Sequence, residues 1–199
     1  MCRFIETIRV ENGQALYLDL HESRMNATRR QFWPELSPVS LAVELGKYPL
    51  ENFKQRTRCR ILYDMHVVSV EFGTYTPRRV STLRCMEANE LEYSFKYENR
   101  SDIDALYARR GRFDEVLIVR NGLLTDTTIA NIALWNGVQW HTPAAPLQKG
   151  THRERLLDNG VLVPRAISIR EVSNYSKICL FNAMLDFGET IVGTNNIYL

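Results

Sequence analysis

Lysine is scarce in this chain. Of its 25 basic residues, 20 are arginine and five are lysine, namely Lys47, Lys54, Lys96, Lys149 and Lys177. Lysine is therefore not its generic surface charge. Nor is one sign of charge in excess: 25 basic and 23 acidic side chains are dispersed along 199 residues, for a net charge of +2. This excludes the continuous basic track that nucleic acid requires. No stretch approaches the ~18 apolar residues of a membrane span, and the opening "MCRFIETIRV" is charged and alternating where a secretory signal carries an apolar run. Cysteine is confined to Cys2, Cys59, Cys85 and Cys179, which are far apart and share no metal-ligand spacing. That is the pattern of reduced thiols in a cytoplasmic protein. No metal site is expected, and a small molecule is a better candidate partner than nucleic acid or membrane.

With 45% hydrophobic and 24% charged residues, the chain can bury a core as one domain or two small lobes. The excess of arginine suits carboxylate or phosphate ligands, which a planar guanidinium holds through two parallel hydrogen bonds. Asn-Gly, the strongest short hairpin signal, occurs at 12–13, 121–122, 136–137 and 159–160. The first three lie between strand-like runs, and those flanking the second and third ("DEVLIV", "LLTD", "TIANIALW", "VQWHTP") predict an antiparallel meander. The fourth follows a helical pattern and predicts its stop. Helices are predicted near 20–32, 39–46, 100–110 and 151–158, and strands near 57–63, 66–72 and 90–96. Strands in hairpins rather than in alternation with helices predict an α+β protein with antiparallel sheets. A junction within 76–90 would divide a small lobe, residues 1–80, from a larger one, residues 85–199.

Several side chains carry chemistry if they face a ligand. In "SFKYENR", Lys96 lies between Phe95 and Tyr97, on the opposite strand face from Leu91, Tyr93 and Phe95. It either extends to solvent or, enclosed and neutral, acts as nucleophile and general base. In "PLQKGTHRERLL", Gly150 and Thr151 open a helix whose first amides favour an anion, unless Thr151 and Glu154 close a capping box over them. His21 and Arg24 share a helix face in "LDLHESRM", either toward a ligand or toward solvent. Asp126 in "LLTDTTIAN" is a functional carboxylate or a turn residue bonded to its own backbone. The same alternatives apply to Asn131.

Taken in order, these signals resemble the fold-type IV (class IV) pyridoxal-phosphate enzymes, the group of branched-chain and D-amino-acid aminotransferases and 4-amino-4-deoxychorismate lyase. The resemblance runs from "FIETIRV" through "SFKYENR" and "TDTTIANIALWNGVQWHTPAAPLQKGTHRERLL" to "CLFNAML". It implies a two-lobed α+β fold, a homodimer, and pyridoxal 5'-phosphate as cofactor. Lys96 would carry the cofactor covalently and Arg24 would grip its phosphate, completed by the loop of Gly150, Thr151 and His152. Asp126 stands where the family usually has a glutamate facing the pyridine nitrogen, with Thr127 and Thr128 near the ring. Two departures stand out. The usual leader with its D-x-G motif is missing, which implies an abbreviated small lobe, and Ile5 stands where many members carry a tyrosine, with Thr7 two residues on. "CLFNAML" and the compact size look most like the lyase branch, which forms 4-aminobenzoate and pyruvate in folate precursor synthesis, with Thr7 as a proton-relay partner. The alternatives are an aminotransferase acting on a small amino acid and a catalytically silent relative that binds a phosphate ligand.

Overall fold

In the computed structural model, which describes residues 2–199, the chain divides into two units. One comprises the residues up to Thr76 together with Phe95–Asn99; the other comprises Pro77–Ser94 and Arg100–Leu199.

The first unit is built on the alternation of "FIETIRV". Strand β1 (Phe4–Glu11) buries Phe4, Ile8 and Val10 on one face, because successive side chains of a strand point to opposite sides. Asn12 and Gly13 turn the chain with φ of 51° and 79°, the doubly left-handed geometry that Asn-Gly tolerates. The short β2 (Gln14–Ala15) follows, then α1 (Leu18–Phe32), α2 (Leu41–Leu45), β3 (Thr57–Tyr63) and β4 (Val67–Thr74). The sheet has the order β2-β1-β3-β4 and is antiparallel throughout. Phe4, Ile8, Met25, Leu41, Cys59, Ile61 and Tyr63 form its core, so α1 and α2 cover the Phe4 face. Truncating fully buried Phe4 to alanine would cost about 3–5 kcal/mol.

The second unit contains β5 (Leu83–Glu87), α3 (Ser101–Ala108), β6 (Glu115–Arg120), β7 (Leu123–Thr127), β8 (Asn131–Trp135), β9 (Trp140–Pro143), α4 (Thr151–Asp158), β10 (Leu162–Arg165), β11 (Lys177–Asn182), β12 (Leu185–Gly193) and β13 (Ile197–Tyr198). The expected meander does form in sequence but divides between two sheets. Strands β6 and β7 join β13-β5-β6-β7, whereas β8 and β9 join β10-β9-β8-β11-β12. The division falls at Thr128–Ala130, where the Thr127 N–H donates to the Ala130 carbonyl and the chain leaves one sheet for the other. Nor are the sheets wholly antiparallel: β5–β6, β5–β13 and β9–β10 pair in parallel. The α+β class stands, with mixed sheets in this unit. Helix α4 ends as expected at Asn159-Gly160, where the N–H groups of Gly160 and Val161 cap the carbonyls of Leu157 and Leu156.

The strand expected at 90–96 is absent. Residues 91–97 make one isolated bridge, Phe4 to Tyr97. The alternation there is real, but Leu91 and Tyr93 lie in the second unit while Phe95 and Tyr97 pack in the core of the first. Among the described residues, no helix is long and apolar enough to cross a membrane. All four cysteines are free, and burial pushes the Cys59 thiol up to about 12 and those of Cys85 and Cys179 up to about 11, leaving them inert at neutral pH.

Candidate active site

Lys96 owes its direction to its aromatic flanks. The Ile5 N–H donates to the Lys96 carbonyl at 2.9 Å, and the Glu98 N–H donates to the Arg3 carbonyl at 2.9 Å. Phe4 and Tyr97 are thus a non-hydrogen-bonded antiparallel pair, and Ile5 stands opposite Lys96. Directly opposed residues share a face, so Lys96, Ile5 and Thr7 lie on one side of β1. On the other side, Phe95 and Tyr97 pack against Phe4 with ring centroids 6.2 and 5.1 Å away. Lys96 is half-buried. Thr7, also half-buried, is paired across the sheet with Arg60.

A buried ionic cluster occupies the Phe4 face. The Glu6 side chain is fully buried between Phe4 and Ile8, and its carboxylate accepts hydrogen bonds from Arg24 Nε at 2.9 Å and Arg24 Nη2 at 2.6 Å. His21 Nδ1 lies 2.7 Å from the same carboxylate. The reading of His21 and Arg24 as a solvated helix face is therefore overturned: His21 is 1% exposed and the Arg24 side chain 18%. Burial alone would raise the Glu6 pKa, but the charge of Arg24 and the hydrogen bonds from His21 and Arg24 outweigh it and hold the carboxyl at about 2. Sequence reasoning missed Glu6. Its signal was a carboxylate on the apolar face of an alternating strand.

Asp126 is not a turn residue. It is a buried member of β7 whose Oδ1 accepts from Asn131 Nδ2 at 2.7 Å and whose Oδ2 accepts from the Gln148 N–H at 2.8 Å. Burial raises its pKa to about 6, opposed by those two donors and by the buried charge of Arg153. Asn131, equivocal in the sequence, is the hub of this region. Its Nδ2 also donates to the Gln148 carbonyl at 2.9 Å, which ties the loop before α4 to Asp126.

Of the two alternatives at the start of α4, the Thr151–Glu154 capping box does not form. The N-cap is Gly150, with no side-chain cap hydrogen bond, and Thr151 is already helical. Glycine is required there by space, since a Cβ on Gly150 would come 2.0 Å from Asn131 Oδ1. Gly150→Ala is expected to destabilise the protein by about 1–3 kcal/mol through overpacking, read as a lower urea midpoint. An unchanged midpoint would mean that Asn131 yields freely. The His152 ring is held within the unit: Arg155 Nη2 donates to Nε2 at 2.8 Å, so Nδ1 carries the proton given to the Asn182 carbonyl at 2.7 Å. Burial first, then the Arg155 charge, lower its pKa.

The two threonines after Asp126 are engaged by the protein. Thr127 Oγ1 donates to the Ala130 carbonyl at 3.2 Å and accepts from the Ala130 N–H at 3.0 Å, closing the turn between sheets. Thr128 Oγ1 donates to the fully buried Glu115 at 2.6 Å, which also accepts from Arg78 at 3.1 Å. Arg100 donates to the Thr128 carbonyl at 2.8 Å and stands over the Tyr93 ring. Lys96, Thr7 and Arg24 thus belong to the first unit, and Asp126, Thr127, Thr128, Gly150, Thr151 and His152 to the second.

Glu6 and Asp126 should give the cofactor-free protein opposite pH slopes. Asp126, raised from 3.8 to about 6, contributes stability that is full below about pH 4 and is lost as pH rises through 6. Glu6, lowered from 4.5 to about 2, contributes stability that is full above 4.5 and is lost as pH falls toward 2. Each pKa unit is worth about 1.4 kcal/mol. Urea unfolding should show a flatter limb between about pH 4 and 6 in Asp126→Asn and a flatter limb below about pH 4.5 in Glu6→Gln. Wild-type slopes in both variants would refute the assignment.

The first unit thus carries an amine on one strand face and a guanidinium held by a buried carboxylate, and the second a buried carboxylate and a helix start without a side-chain cap. Residues 3–188 match the family Amino-transferase class IV, and the chain belongs to it. It is a pyridoxal-phosphate-dependent enzyme of that family. It is 34% identical over 186 residues to an uncharacterised protein of Haemophilus influenzae, covering 92% of this chain and 98% of that one. The crystal structure of a candidate 4-amino-4-deoxychorismate lyase from Haemophilus somnus matches with a TM-score of 0.87 and 31% identity, covering 93% of this chain and 97% of the other. An aminotransferase from Brucella abortus, crystallised with pyridoxal phosphate, shares the fold at a TM-score of 0.70 and 17% identity, covering 96% of this chain and 79% of its own. The compact length of this chain is therefore common to the two Haemophilus proteins.

Proposed function

We propose that this protein is a cytoplasmic, homodimeric lyase that converts 4-amino-4-deoxychorismate to 4-aminobenzoate and pyruvate, a step toward folate. The likeness to the Haemophilus somnus protein, over nearly the full length of both chains, is the observation that carries the reading. The residues fit the cofactor chemically. A phosphate needs positive, donor-rich surroundings, and Arg24 with the α4 start, which has no side-chain cap, can supply them. A pyridine nitrogen needs an acceptor, and a carboxylate offers about four lone-pair sites, more than Asn131 and Gln148 take from Asp126.

When bound, the cofactor supplies an electron sink for charge that develops on the substrate. In this reading Lys96 would be the residue that holds it covalently. The Lys96 amine would be the base that takes the proton from ring C4 of the substrate, with Thr7 as relay on the same strand face. The electron pair closes the aromatic ring as the carbon–oxygen bond to the side chain breaks. That side chain gains a proton and leaves as pyruvate, with 4-aminobenzoate as the other product. Arg24 and the backbone amides of Gly150, Thr151 and His152 hold the phosphate; His152 contributes through its backbone, its ring being already bonded. Asp126 would hold the proton on the ring nitrogen, with Thr127 and Thr128 as its neighbours in sequence.

The second reading is an aminotransferase for a small amino acid, which the family description favours as directly. Purified protein loaded with pyridoxal phosphate, incubated with chorismate, glutamine and an aminodeoxychorismate synthase, should yield equal amounts of 4-aminobenzoate and pyruvate. Absence of 4-aminobenzoate, with transfer of an amino acid's nitrogen to a keto acid, would replace the lyase by the aminotransferase.

A further inference from the structure

We propose that Glu6 is the positioning residue that sets the guanidinium of Arg24 for the cofactor's phosphate, an inference that rests on the reading of Arg24 as the phosphate ligand. A fully buried carboxylate on the apolar face of β1 is an expensive group, and a buried ion pair is weak evidence for stability, since apolar residues of the same volume serve as well. Its benefit is therefore geometric. The two Glu6 oxygens take Nε and Nη2 of Arg24 side-on, at 2.9 and 2.6 Å, and such a fork fixes the guanidinium plane as well as its position. His21 Nδ1 lies 2.7 Å from Oε2, the oxygen that also accepts from Nη2, and so helps to fix the carboxylate. Both rear members are essentially buried, with side-chain exposures of 0% for Glu6 and 2% for His21, whereas Arg24 at 18% is the member that reaches outward.

Charge and position make opposite demands. If Glu6 acted on the phosphate only through its charge, removing that charge would uncover the positive field of Arg24 and strengthen phosphate binding. If it acts by position, the same change weakens binding. In Glu6→Gln one carboxylate oxygen becomes an NH2 group, which faces the guanidinium donor to donor, and the fork is lost.

The test compares affinity for pyridoxal 5'-phosphate with that for pyridoxal, which lacks the phosphate, in cofactor-stripped full-length protein by tryptophan fluorescence. The ratio of the two isolates the phosphate contribution. Arg24→Ala should lower this ratio by about 10–100-fold, and Glu6→Gln by about tenfold with pyridoxal affinity itself within about twofold of wild type. The double variant should fall no further than Arg24→Ala alone. A ratio unchanged or raised in Glu6→Gln, with Arg24→Ala lowered, overturns the positioning role and leaves the phosphate reading of Arg24 intact. A ratio unchanged in Arg24→Ala overturns both. Should Glu6→Gln fail to fold, Glu6→Asp keeps the charge and withdraws the carboxylate by one methylene. It should show the same loss, and a wild-type ratio in it overturns the proposal.

Discussion

Replacing Lys96 with alanine is expected to abolish the borohydride-reducible absorbance band of the loaded enzyme and to lower turnover by about 1000-fold or more, since in the proposed function one amine serves both as covalent anchor and as base. The fold should be nearly unaffected. Phe95 and Tyr97, packed on Phe4 from the other side of the segment, and the backbone bonds to Arg3 and Ile5 hold the chain in place. The lysine side chain itself is only half-buried. Two of the other lysines are engaged elsewhere: Lys47 pairs with Glu44 on the surface, and Lys177 sits over the rings of Trp135 and Trp140. A reducible band in Lys96→Ala, with a wild-type melting curve, would move the anchor elsewhere.

Asp126→Asn should lower turnover by about 100–1000-fold, the range found when a group aimed at developing charge is removed, while cofactor affinity changes far less. The substitution keeps size but removes the negative charge that, in the proposed function, holds a proton on the ring nitrogen. It also creates a local conflict. Asp126 presents acceptors to Asn131 Nδ2 and to the Gln148 N–H, whereas an asparagine has only one oxygen to offer them. Asn131 cannot simply reverse its amide, because Nδ2 also holds the Gln148 carbonyl and Oδ1 abuts Gly150. Asp126→Glu restores the side chain usual in the family and should retain measurable activity. Wild-type turnover and an unshifted spectrum in Asp126→Asn would reduce Asp126 to a structural residue.

Local signals in the sequence were legible where local physics decides. Asn-Gly turns formed at 12–13 and 121–122, α4 occupies 151–158 and β3 occupies 57–63. What depends on distant partners was not legible. Strands β6 and β8 are buried on both faces, so their near-continuous apolar runs carry no mark of which sheet each joins. The alternation over 91–97 correctly placed Lys96 opposite Phe95, yet concealed that the segment leaves one unit for the other. Glu6 breaks the apolar face of its strand visibly, but the donors that make a charge tolerable there are 15 and 18 residues away on α1. Likewise Asp126 looked like a turn residue because its Gln148 partner is 22 residues further on. The capping-box alternative at Thr151 fails because one residue of helix register separates it from Gly150.

The most direct test of the account is to load the protein with pyridoxal phosphate, reduce it with borohydride, digest it and locate the modified lysine by mass spectrometry. The account predicts a single phosphopyridoxyl group on Lys96, in the peptide spanning "SFKYENR". The same group on Lys149 or Lys177, with Lys96 unmodified, would contradict it.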